Sequence, residues 1–338
     1  MKRQNDIIAK GNTLVKSVLL FYFFVLLSLT AGAQEKRNSL FQRVDSMLTL
    51  KYRKGDIDTA YITRPQTKWT LVGRLNVSGA KIETEGVESD RHFNSEMTAD
   101  YKSTISFGVS YLGLSVNMAL NPAKLMGKYH DYEININSYG KRYGFDFIYQ
   151  DARNFSGWTE WEDMERLELR EGIMKMKTLN LNAYYAFNSR HFSYPAAFSY
   201  SYIQRRSAGS FLLAASGQGQ RGTINGTEET KFKMTNIGIG AGYAYNWVPS
   251  QNWLLHISAL PTFIVYSKTS LSFGESRVPL HYHFPEVIIT GRGAIVRQSG
   301  RTFYGMSMVF NFTNVGNEKS LAVHNIKWSA RAFFGVRF

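Results

Sequence analysis

The last thirteen residues, 326–338, alternate between apolar and polar side chains along almost their whole length. The apolar set is Ile326, Trp328, Ala330, Ala332, Phe334, Val336 and Phe338, and the intervening set is Lys327, Ser329, Arg331, Phe333, Gly335 and Arg337. Only Phe333 departs from the pattern. Because successive side chains of a strand point to opposite faces, this segment predicts a strand with one apolar face and one basic face.

The same two-residue period recurs through the chain from residue 68 onward. It predicts earlier strands at residues 69–81, 104–110, 114–120, 132–137, 143–150, 179–187, 194–206, 231–247, 253–268, 286–297 and 301–312, so that the segment ending at Phe338 is the twelfth. Long polar loops are expected at 83–98, 154–172 and 207–230. Gly238, Gly240 and Gly242 share one face of the eighth strand, which indicates a close approach by a plug segment or a bend of the sheet.

The length and number of these strands favour a closed membrane barrel. Most runs have about 9–12 residues, the length that crosses a bilayer at a tilt. Longer and tighter connections alternate, and an even strand number returns both chain ends to one side, as in outer-membrane barrels. An aromatic C-terminus such as Phe338 is common in that class. We therefore predict an all-β fold, a transmembrane antiparallel up-and-down β-barrel of about twelve strands, with ten to fourteen as limits. A soluble β-sandwich is the alternative.

The beginning of the chain has the pattern of an export signal. Its basic residues are Lys2, Arg3, Lys10 and Lys16, followed by an apolar run at 17–30. Ala31-Gly32-Ala33 has the small-residue form of a cleavage site, so we predict removal before Gln34. The apolar run is shorter than the about 20 residues of a spanning helix, which disfavours the alternative of an uncleaved inner-membrane anchor.

Between the signal and the first strand, the pattern changes to helical spacing. The apolar positions are Leu40, Phe41, Val44, Met47 and Leu48. With Asn38 or Ser39 as N-cap they predict a short helix, which would lie in the periplasm or enter the lumen as a plug. The predicted organisation is a signal peptide at 1–33, a periplasmic N-terminal segment with this helix at 34–66, and the outer-membrane barrel at 67–338.

Two short motifs carry a family resemblance. Asp58-Thr59-Ala60-Tyr61-Ile62 is followed by Lys68-Trp69-Thr70, which opens the first strand and the meander to Phe338. Over roughly residues 56–338, the chain resembles an uncharacterised family of outer-membrane β-barrel proteins, the domain of unknown function 4421 type. The resemblance implies an outer-membrane barrel, and it implies no activity and no site residue.

Composition narrows the classes of function. The chain has no cysteine, which excludes a disulfide framework, a thiolate metal site and a cysteine nucleophile. Aromatic residues make up 14%, in keeping with the aromatic girdles of membrane barrels. The net charge of +14 indicates an anionic partner. For an exported chain we expect lipid headgroups, lipopolysaccharide phosphates or an anionic solute, and no nucleic acid.

Basic residues on the predicted polar faces suggest a lumen that attracts anions. They are Arg74, Lys175, Lys177, Lys233, Arg292, Lys327 and Arg331, with Arg337 beside them. Rings of Arg and Lys select anions in pores, so these residues are candidate contacts for a small anionic solute. The alternative is that they pair with lumen acids such as Asp146 and Glu133, or lie at the rims near lipid phosphates.

One pair of residues raises the question of catalysis. His256 and Ser258 share a face of the ninth strand. A serine hydrolase needs the serine and its base within hydrogen-bond reach, yet same-face neighbours lie about 7 Å apart. There is also no nucleophile elbow of G-x-S-x-G form. We predict no catalytic residue. His281 and His283 are too few ligands for a metal site, and no cofactor is expected.

These patterns support three function hypotheses. The first is an outer-membrane channel or binding lumen for small anionic solutes. The alternative is a structural or assembly barrel without an open pore, plugged by loops or the N-terminal segment and filled by Tyr184, Tyr304 and Arg side chains. A second alternative is an outer-membrane lipid hydrolase.

The predicted partners are those of a membrane barrel. Outer-membrane lipid and lipopolysaccharide would surround it. The barrel-assembly machinery would recognise the C-terminal strand through Trp328, Phe334, Val336 and Phe338. The acidic, aromatic segment at 157–168 is expected to form a loop over the mouth of the barrel.

Overall fold

A computed structural model describes residues 56–88, 91–111, 114–120, 132–225, 229–273, 276–280, 286–317 and 321–338, together with Ser46. Apart from Ser46, these residues belong to one compact unit. The signal cleavage residues Ala31, Ala33 and Gln34 lie outside the described residues. So does the helix predicted at 38–48, except for Ser46, which is helical.

Nearly all of the described chain is β-strand. In chain order the elements are β1 (Ile62–Thr63), β2 (Trp69–Glu88), β3 (Arg91–Ala99), β4 (Lys102–Tyr111), β5 (Leu114–Leu120), β6 (Tyr132–Tyr139), β7 (Tyr143–Trp161), β8 (Leu167–Ala186), α1 (Tyr194–Phe198), β9 (Ile203–Gln204), β10 (Ala208–Asn225), β11 (Glu229–Ser250), β12 (Trp253–Phe273), β13 (Ser276–Leu280), β14 (Val287–Ser299), β15 (Thr302–Asn317) and β16 (Leu321–Arg337).

Ten of these strands close into an antiparallel ring. The order is β2, β3, β7, β8, β10, β11, β12, β14, β15 and β16, and the pairing of β16 with β2 closes the ring. The predicted all-β antiparallel barrel is confirmed. Its ten ring strands are an even number, at the lower limit of the predicted range.

The strands outside the ring explain the higher predicted number. β4 continues β3 along β2 and pairs with β5, while β6 pairs with β7 below its contact with β3. The sheet therefore carries extra strands between β2 and β7 near one end. β13 pairs with β12, and β1 and β9 form a separate two-stranded sheet.

The strands are much longer than a bilayer crossing requires. β11 has 22 residues and β12 has 21, about twice the 9–11 residues of a membrane-spanning strand. We call the end where β2 begins and β16 ends the terminal end. The opposite end, which carries the turn at 162–166, is the distal end.

An apolar outer surface covers only the terminal part of the barrel. This apolar belt consists of exposed side chains that include Leu71, Leu75, Val77, Ile105, Phe107, Phe145, Leu179, Leu181, Phe211, Leu213, Ile237, Ile239, Ile257, Phe263, Val265, Ile289, Ile295, Met306, Met308, Phe310 and Phe334. The architecture is that of an outer-membrane β-barrel whose distal part extends beyond the belt. Within the described residues, no helix combines the length and apolarity needed to cross a bilayer.

Three predicted loops are instead the distal halves of strands. Residues 83–88 lie in β2 and 91–98 in β3, most of 154–172 lies in β7 and β8, and 208–225 of the third is β10. The acidic segment at 157–168 is likewise two strand ends joined by the turn at 162–166. These segments are polar because they lie beyond the belt. Their polarity is the reason that loops were predicted there.

The prediction of a seventh strand at 194–206 is wrong. These residues form α1 and the two-residue β9, within a connection from 187 to 207 that is folded back into the barrel. It is the longest connection at the terminal end among the described residues. The predicted alternation of long and tight connections is therefore also wrong.

The three glycines on one face of β11 lie where the neighbouring strand approaches closely. A Cβ added at Gly240 would lie 2.1 Å from the carbonyl oxygen of Pro261, and one at Gly242 would lie 2.1 Å from that of Ala259. The backbone of β12 therefore approaches closely here, and the register between the two strands shifts nearby. The close approach that these glycines predicted is therefore made by the neighbouring strand of the sheet.

Candidate functional site

The lumen at the terminal end is filled by the connection 187–207, which we call the plug. Ser193 caps α1 by accepting a hydrogen bond from the backbone N–H of Ala196 at 3.3 Å, and Pro195 presets the first turn. The helix is only five residues long, but Tyr194, Ala196 and Ala197 are 0–1% exposed. Tertiary packing, rather than helix propensity, must therefore hold it.

A left-handed residue ends this helix. Tyr200 has φ of 60°, and its N–H donates to the carbonyl of Pro195 at 2.8 Å. A non-glycine side chain in this conformation is unfavourable, and the surroundings must hold it in place. The guanidinium of Arg337 does so by donating to the Tyr200 carbonyl at 3.0 Å. The ring of Tyr200 lies 4.4 Å from that of Phe333.

Phe333 thereby explains the exception in the C-terminal pattern. It is the apolar residue on the basic, lumen-facing side of β16, and it is 5% exposed. It packs with Tyr200 and with Phe303, which is fully buried. An aromatic side chain interrupts the basic face at this point because the plug presents an aromatic ring to it.

A buried ion pair beside the plug joins two strands of the barrel wall. Arg292 of β14 donates to the carboxylate of Asp146 on β7, across the lumen from it. Tyr139 accepts a hydrogen bond from Arg292 at 3.0 Å and donates to the other oxygen of Asp146. The guanidinium carbon of Arg292 lies 5.8 Å from the ring centre of Tyr194 and 5.9 Å from that of Phe198, both in α1.

A second chain of hydrogen bonds runs through His256. Its Nδ1 lies 2.7 Å from Asn246 Oδ1, and its Nε2 lies 3.1 Å from Ser258 Oγ. Asn246 Nδ2 donates to the Ser193 carbonyl at 2.8 Å, which makes Oδ1 the acceptor and places the His256 proton on Nδ1. Ser258 therefore donates to His256, and it accepts from the Tyr194 hydroxyl, 3.2 Å away.

The sequence argument about this pair needs correction. His256 and Ser258 were not expected to bond, since strand neighbours on one face are about 7 Å apart. The two side chains do form a hydrogen bond, because the imidazole is long enough to reach the Ser258 hydroxyl along the strand. The resulting Ser–His–Asn order resembles that of serine hydrolases, but Ser258 and His256 are each 4% exposed and lie beneath Tyr194.

The distal part of the lumen is also packed. Ala80, Ile82, Phe155, Met174 and Met176 form an apolar cluster there, together with other buried side chains of β2, β3, β7 and β8. Ile224 of β10, Phe232 of β11 and Val323 of β16 pack against it. Since β10 pairs with β8 and β16 pairs with β2, the cluster extends along the inner surface of neighbouring strands.

Between these two cores lies a polar layer with small cavities. One cavity of about 30 Å³ is lined by Gln150, Thr178, Asn180, Gln218, Lys327 and their neighbours. Another, of about 20 Å³, lies beside Tyr194 and Arg292. At about 10–15 Å³ for each water molecule, the larger has room for roughly two or three waters. The buried Gln218 Oε1 has no protein partner and belongs to a residue that lines the larger cavity, so a water there would satisfy it.

The N-terminal connector closes the plug from outside. Ile62 and Thr63 of β1 pair with Gln204 and Ile203 of β9. The Asp58 carboxylate oxygen Oδ2 lies 3.3 Å from His191 Nε2, and the ring centres of Tyr61 and His191 lie 4.4 Å apart. The motif at 58–62 that carried the family resemblance is thus the part of the connector that contacts the plug.

Four of the predicted lumen cations do face the lumen. Arg74 lies with its guanidinium carbon 5.9 Å from the Tyr200 ring centre, and Arg292 forms the buried ion pair. Lys327 lines the polar layer, and Arg331 is in register with Asn76 on the inward face of β2. Arg337, at 2% exposure, is also inside. Their role as solute contacts stays a prediction.

The other three predicted lumen cations lie on the outer surface. Lys175 and Lys177 alternate with the buried Met174 and Met176, and Lys233 precedes the buried Met234. The prediction took the apolar face of each strand as the lipid face. In the distal part the faces are exchanged, because the lumen there is an apolar core and the outside lies beyond the belt. Tyr304, expected to fill the lumen, is 40% exposed on the belt, whereas Tyr184 is inside.

The residues proposed as a membrane-assembly signal share the outer face of β16. Trp328, Phe334, Val336 and Phe338 alternate there with the inward side chains, and Phe334 and Phe338 are more than half exposed. Recognition of this strand by an assembly machinery stays a prediction.

Sequence reasoning missed the plug, although signals for it were present. Pro195 lies inside the strand that was predicted, and a proline is unfavourable in a paired strand. Ser193 before Tyr194-Pro195 is a cap-and-proline helix start. Among the described residues, no group of three or more His, Asp or Glu is placed to hold a metal, and His281 and His283 lie outside them.

Comparison with known proteins gives a family and a fold. A family model described as Domain of unknown function (DUF4421) matches residues 56–338. No curated protein matches the chain. Among solved structures, the Escherichia coli outer membrane protease OmpT has 6% identity and a TM-score of 0.42, covering 82% of this chain and 98% of its own.

Two further barrels align over most of the chain. The transport unit of the Escherichia coli autotransporter AIDA-I has 12% identity and a TM-score of 0.33, with 85% of this chain and 96% of its own covered. OprG from Pseudomonas aeruginosa has 8% identity and a TM-score of 0.30, with 83% and 99% covered. Likenesses at this level of identity do not identify an activity.

Proposed function

Since this chain belongs to the family described as Domain of unknown function (DUF4421), we propose from its own geometry that it is an outer-membrane β-barrel without an open pore. One observation carries the proposal. Tyr194, Ala196, Ala197 and Tyr200 of the plug are at most 3% exposed inside the ring of strands. A side chain buried to this extent leaves no water-filled path beside it.

The two packed levels support the same conclusion. The plug closes the lumen at the terminal end, and the apolar cluster around Phe155 and Met174 lines it toward the distal end. Water-filled pores carry a polar interior along their whole length. In this barrel the buried polar side chains around the plug are taken up by hydrogen bonds and an ion pair, and the cavities are of water size.

The inward arginines have a structural role in this proposal. Arg292 is neutralised by Asp146, and Arg337 donates to Gln298 and to the plug backbone. These arginines hold the plug against the wall. In a selective pore they would instead be available to a passing anion. The proposed function is therefore that of a rigid, closed scaffold whose interactions are made by its outer surface and its ends.

The proposed membrane barrel would first be exported and then inserted into the outer membrane. The signal at 1–33 would be cleaved before Gln34, and the terminal end would face the periplasm, where the short turns of outer-membrane barrels lie. The outer face of the C-terminal strand would be recognised by the assembly machinery. Lipid and lipopolysaccharide would then surround the belt.

Single-channel recording in a planar bilayer tests the closed lumen. Purified protein whose heat-shifted gel migration shows a folded barrel is expected to pass no steady current. A steady current would overturn the proposal. If a salt gradient showed that the current was carried by anions, and Arg331→Gln reduced that preference, the channel hypothesis would replace it.

The hydrolase alternative has one observation in its favour, the Ser258–His256–Asn246 chain. Against it, the serine hydroxyl is buried and its second hydrogen bond goes to Tyr194, so no substrate carbonyl can approach it. We expect the folded protein to hydrolyse no ester. Lipid or ester hydrolysis that His256→Ala abolishes would contradict this.

A further inference from the structure

We propose that three cations on the outer surface bind the phosphate of an anionic lipid headgroup. They are Lys177 on β8, Arg221 on β10 and Lys233 on β11, and we call them the cation row. The proposal rests on the membrane barrel proposed above and adds the class of lipid that it binds. Because the lumen is filled, binding on the outside is the kind of recognition that this fold leaves open.

The strand register places the three side chains next to one another. Arg221 is the Cα partner of Lys177 on one side and of Lys233 on the other. Cβ atoms of directly opposed residues lie about 4.5–5.5 Å apart, close enough for three long side chains to meet one phosphate group. All three side chains are exposed on the outer face, and Lys268 lies on the next strand, beside Thr235.

Their charges are not balanced within the protein. Like charges directly opposite each other destabilise a sheet. In the part of the chain that the structure describes, Arg221 and Lys233 make no ion pair. Lys177 lies 3.9 Å from Asp151, a carboxylate that Arg153 approaches more closely, at 3.1 Å. An external anion would remove the repulsion.

The opposite wall of the barrel provides the contrast. Lys81 on β2 is also on the outer face, distal to the belt. It lies 2.6 Å from Glu83 and 3.1 Å from Glu96, so its charge is neutralised by the protein itself. Lys81 is thus an outer-surface cation that the protein neutralises, unlike Arg221 and Lys233.

The row lies at the level where headgroup phosphates are found. Lys177 is one same-face step from Leu179, the distal end of the belt on β8, which is about 7 Å along the strand. Long basic side chains beside an apolar surface extend their charges to the membrane interface, where they attract anionic lipids.

A groove for an acyl chain continues from the row into the belt. On β10 the outward positions next to Arg221 are Gly219 and Gly217, which pair with Leu179 and Leu181 on one side. On the other side they pair with Thr235 and Ile237. The two glycines form a floor between side-chain walls, so a single lipid could place its phosphate on the cations and one chain in the groove.

Lipid binding to the purified full-length protein tests the proposal. The probe is a phosphomonoester lipid, dioleoyl phosphatidic acid, titrated into detergent-solubilised protein and counted by native mass spectrometry. We expect one retained lipid. The triple variant Lys177→Gln, Arg221→Gln, Lys233→Gln should bind roughly 100-fold more weakly, since three interfacial cations contribute about fivefold each.

Matched variants separate charge from other effects. Lys81→Gln removes an outer-surface cation that is already neutralised and should bind like the wild type, and Arg221→Lys should stay within a few-fold. Heat-shifted gel migration checks that each variant folds. Should the triple variant not fold, the single reversal Arg221→Glu replaces it and should abolish retention of the lipid.

Three results would overturn the proposal. One is binding by the triple variant that equals the wild type, and another is no retained lipid on the wild type. The third is displacement of the lipid by millimolar inorganic phosphate, which would show a site for free anions. These results are independent of conductance: a conducting barrel that retains the lipid overturns only the closed lumen, and a silent one without lipid overturns only the cation row.

Discussion

At the scale of single residues, the centre of the molecule depends on Arg292 and Asp146. Both side chains are about 5% exposed, and Tyr139 and the rings of α1 surround the guanidinium. A charge buried to this degree is tolerated only with its partner in place. The pair therefore determines how β7, β14 and the plug are packed together.

Neutralising one partner is predicted to lower the free energy of unfolding more than neutralising both. Asp146→Asn should lower the free energy of unfolding by about 3–5 kcal/mol, because the cation of Arg292 is then left uncompensated. The double variant Asp146→Asn, Arg292→Met should recover most of that loss. Urea unfolding in lipid vesicles, followed by tryptophan fluorescence, measures both. Equal losses in the single and double variants would show that the charges are not coupled.

Several residue-scale predictions followed from simple alternation and were right in the terminal half. The inward direction of Arg74, Lys327 and Arg331 is one example, since lipid on one side dictates which face is apolar. The same rule misplaced Lys175, Lys177 and Lys233. Local sequence does not show where the bilayer ends. Beyond that level the apolar face of each strand points into the lumen and the polar face points outward.

At the scale of elements, the plug is the part that strand periodicity could not find. Residues 194–206 contain alternating side chains, yet α1 and β9 depend on partners from β12, β14 and β16 that are distant in the chain. The N-terminal connector is similar. Its short pairing with β9 exists only because the folded barrel brings residue 63 beside residue 203.

A designed disulfide tests this contact between connector and plug. Thr63 and Ile203 are Cα partners, and antiparallel partners lie about 4.5–5.5 Å apart, within the range that a disulfide spans. The natural chain has no cysteine, so Thr63→Cys with Ile203→Cys should oxidise to one intramolecular bond. Thiol counting before and after reduction gives the yield.

The control moves one cysteine along the plug. Thr63→Cys with Arg206→Cys places the second thiol three residues away, about 10 Å along an extended chain, and should stay reduced. Similar oxidation of both pairs would mean that the connector moves freely over the plug, and no oxidation in either would mean that β1 and β9 do not pair.

At the scale of the whole molecule, the apolar belt and the strand lengths set the depth of insertion. On β11 the belt runs from Ile237 to Trp247, while the strand begins at Glu229. Ten steps of about 3.3 Å at a tilt of about 45° span roughly 23 Å, close to the apolar band of outer-membrane barrels. The strand residues that precede Ile237, which include Lys231 and Lys233, therefore lie distal to the hydrocarbon.

Tryptophan quenching measures this depth. Of the six tryptophans, Trp247 lies on the belt and Trp161 at the distal end of β7. In a variant that keeps only Trp247, brominated acyl chains should quench most of the fluorescence, because the indole is 52% exposed on the lipid-facing surface. A variant that keeps only Trp161 should be little affected in the same vesicles and should be quenched by aqueous iodide.

The comparison between the two variants also bears on the cation row. If bromolipid quenched Trp161 as strongly as Trp247, the distal half would lie in the hydrocarbon, and Lys177, Arg221 and Lys233 would be buried in it. Charges on the lipid face at that depth cost about 2–4 kcal/mol each in a barrel, and several together would oppose insertion. Shallow insertion instead places them at the headgroups, where their excess charge attracts an anionic lipid.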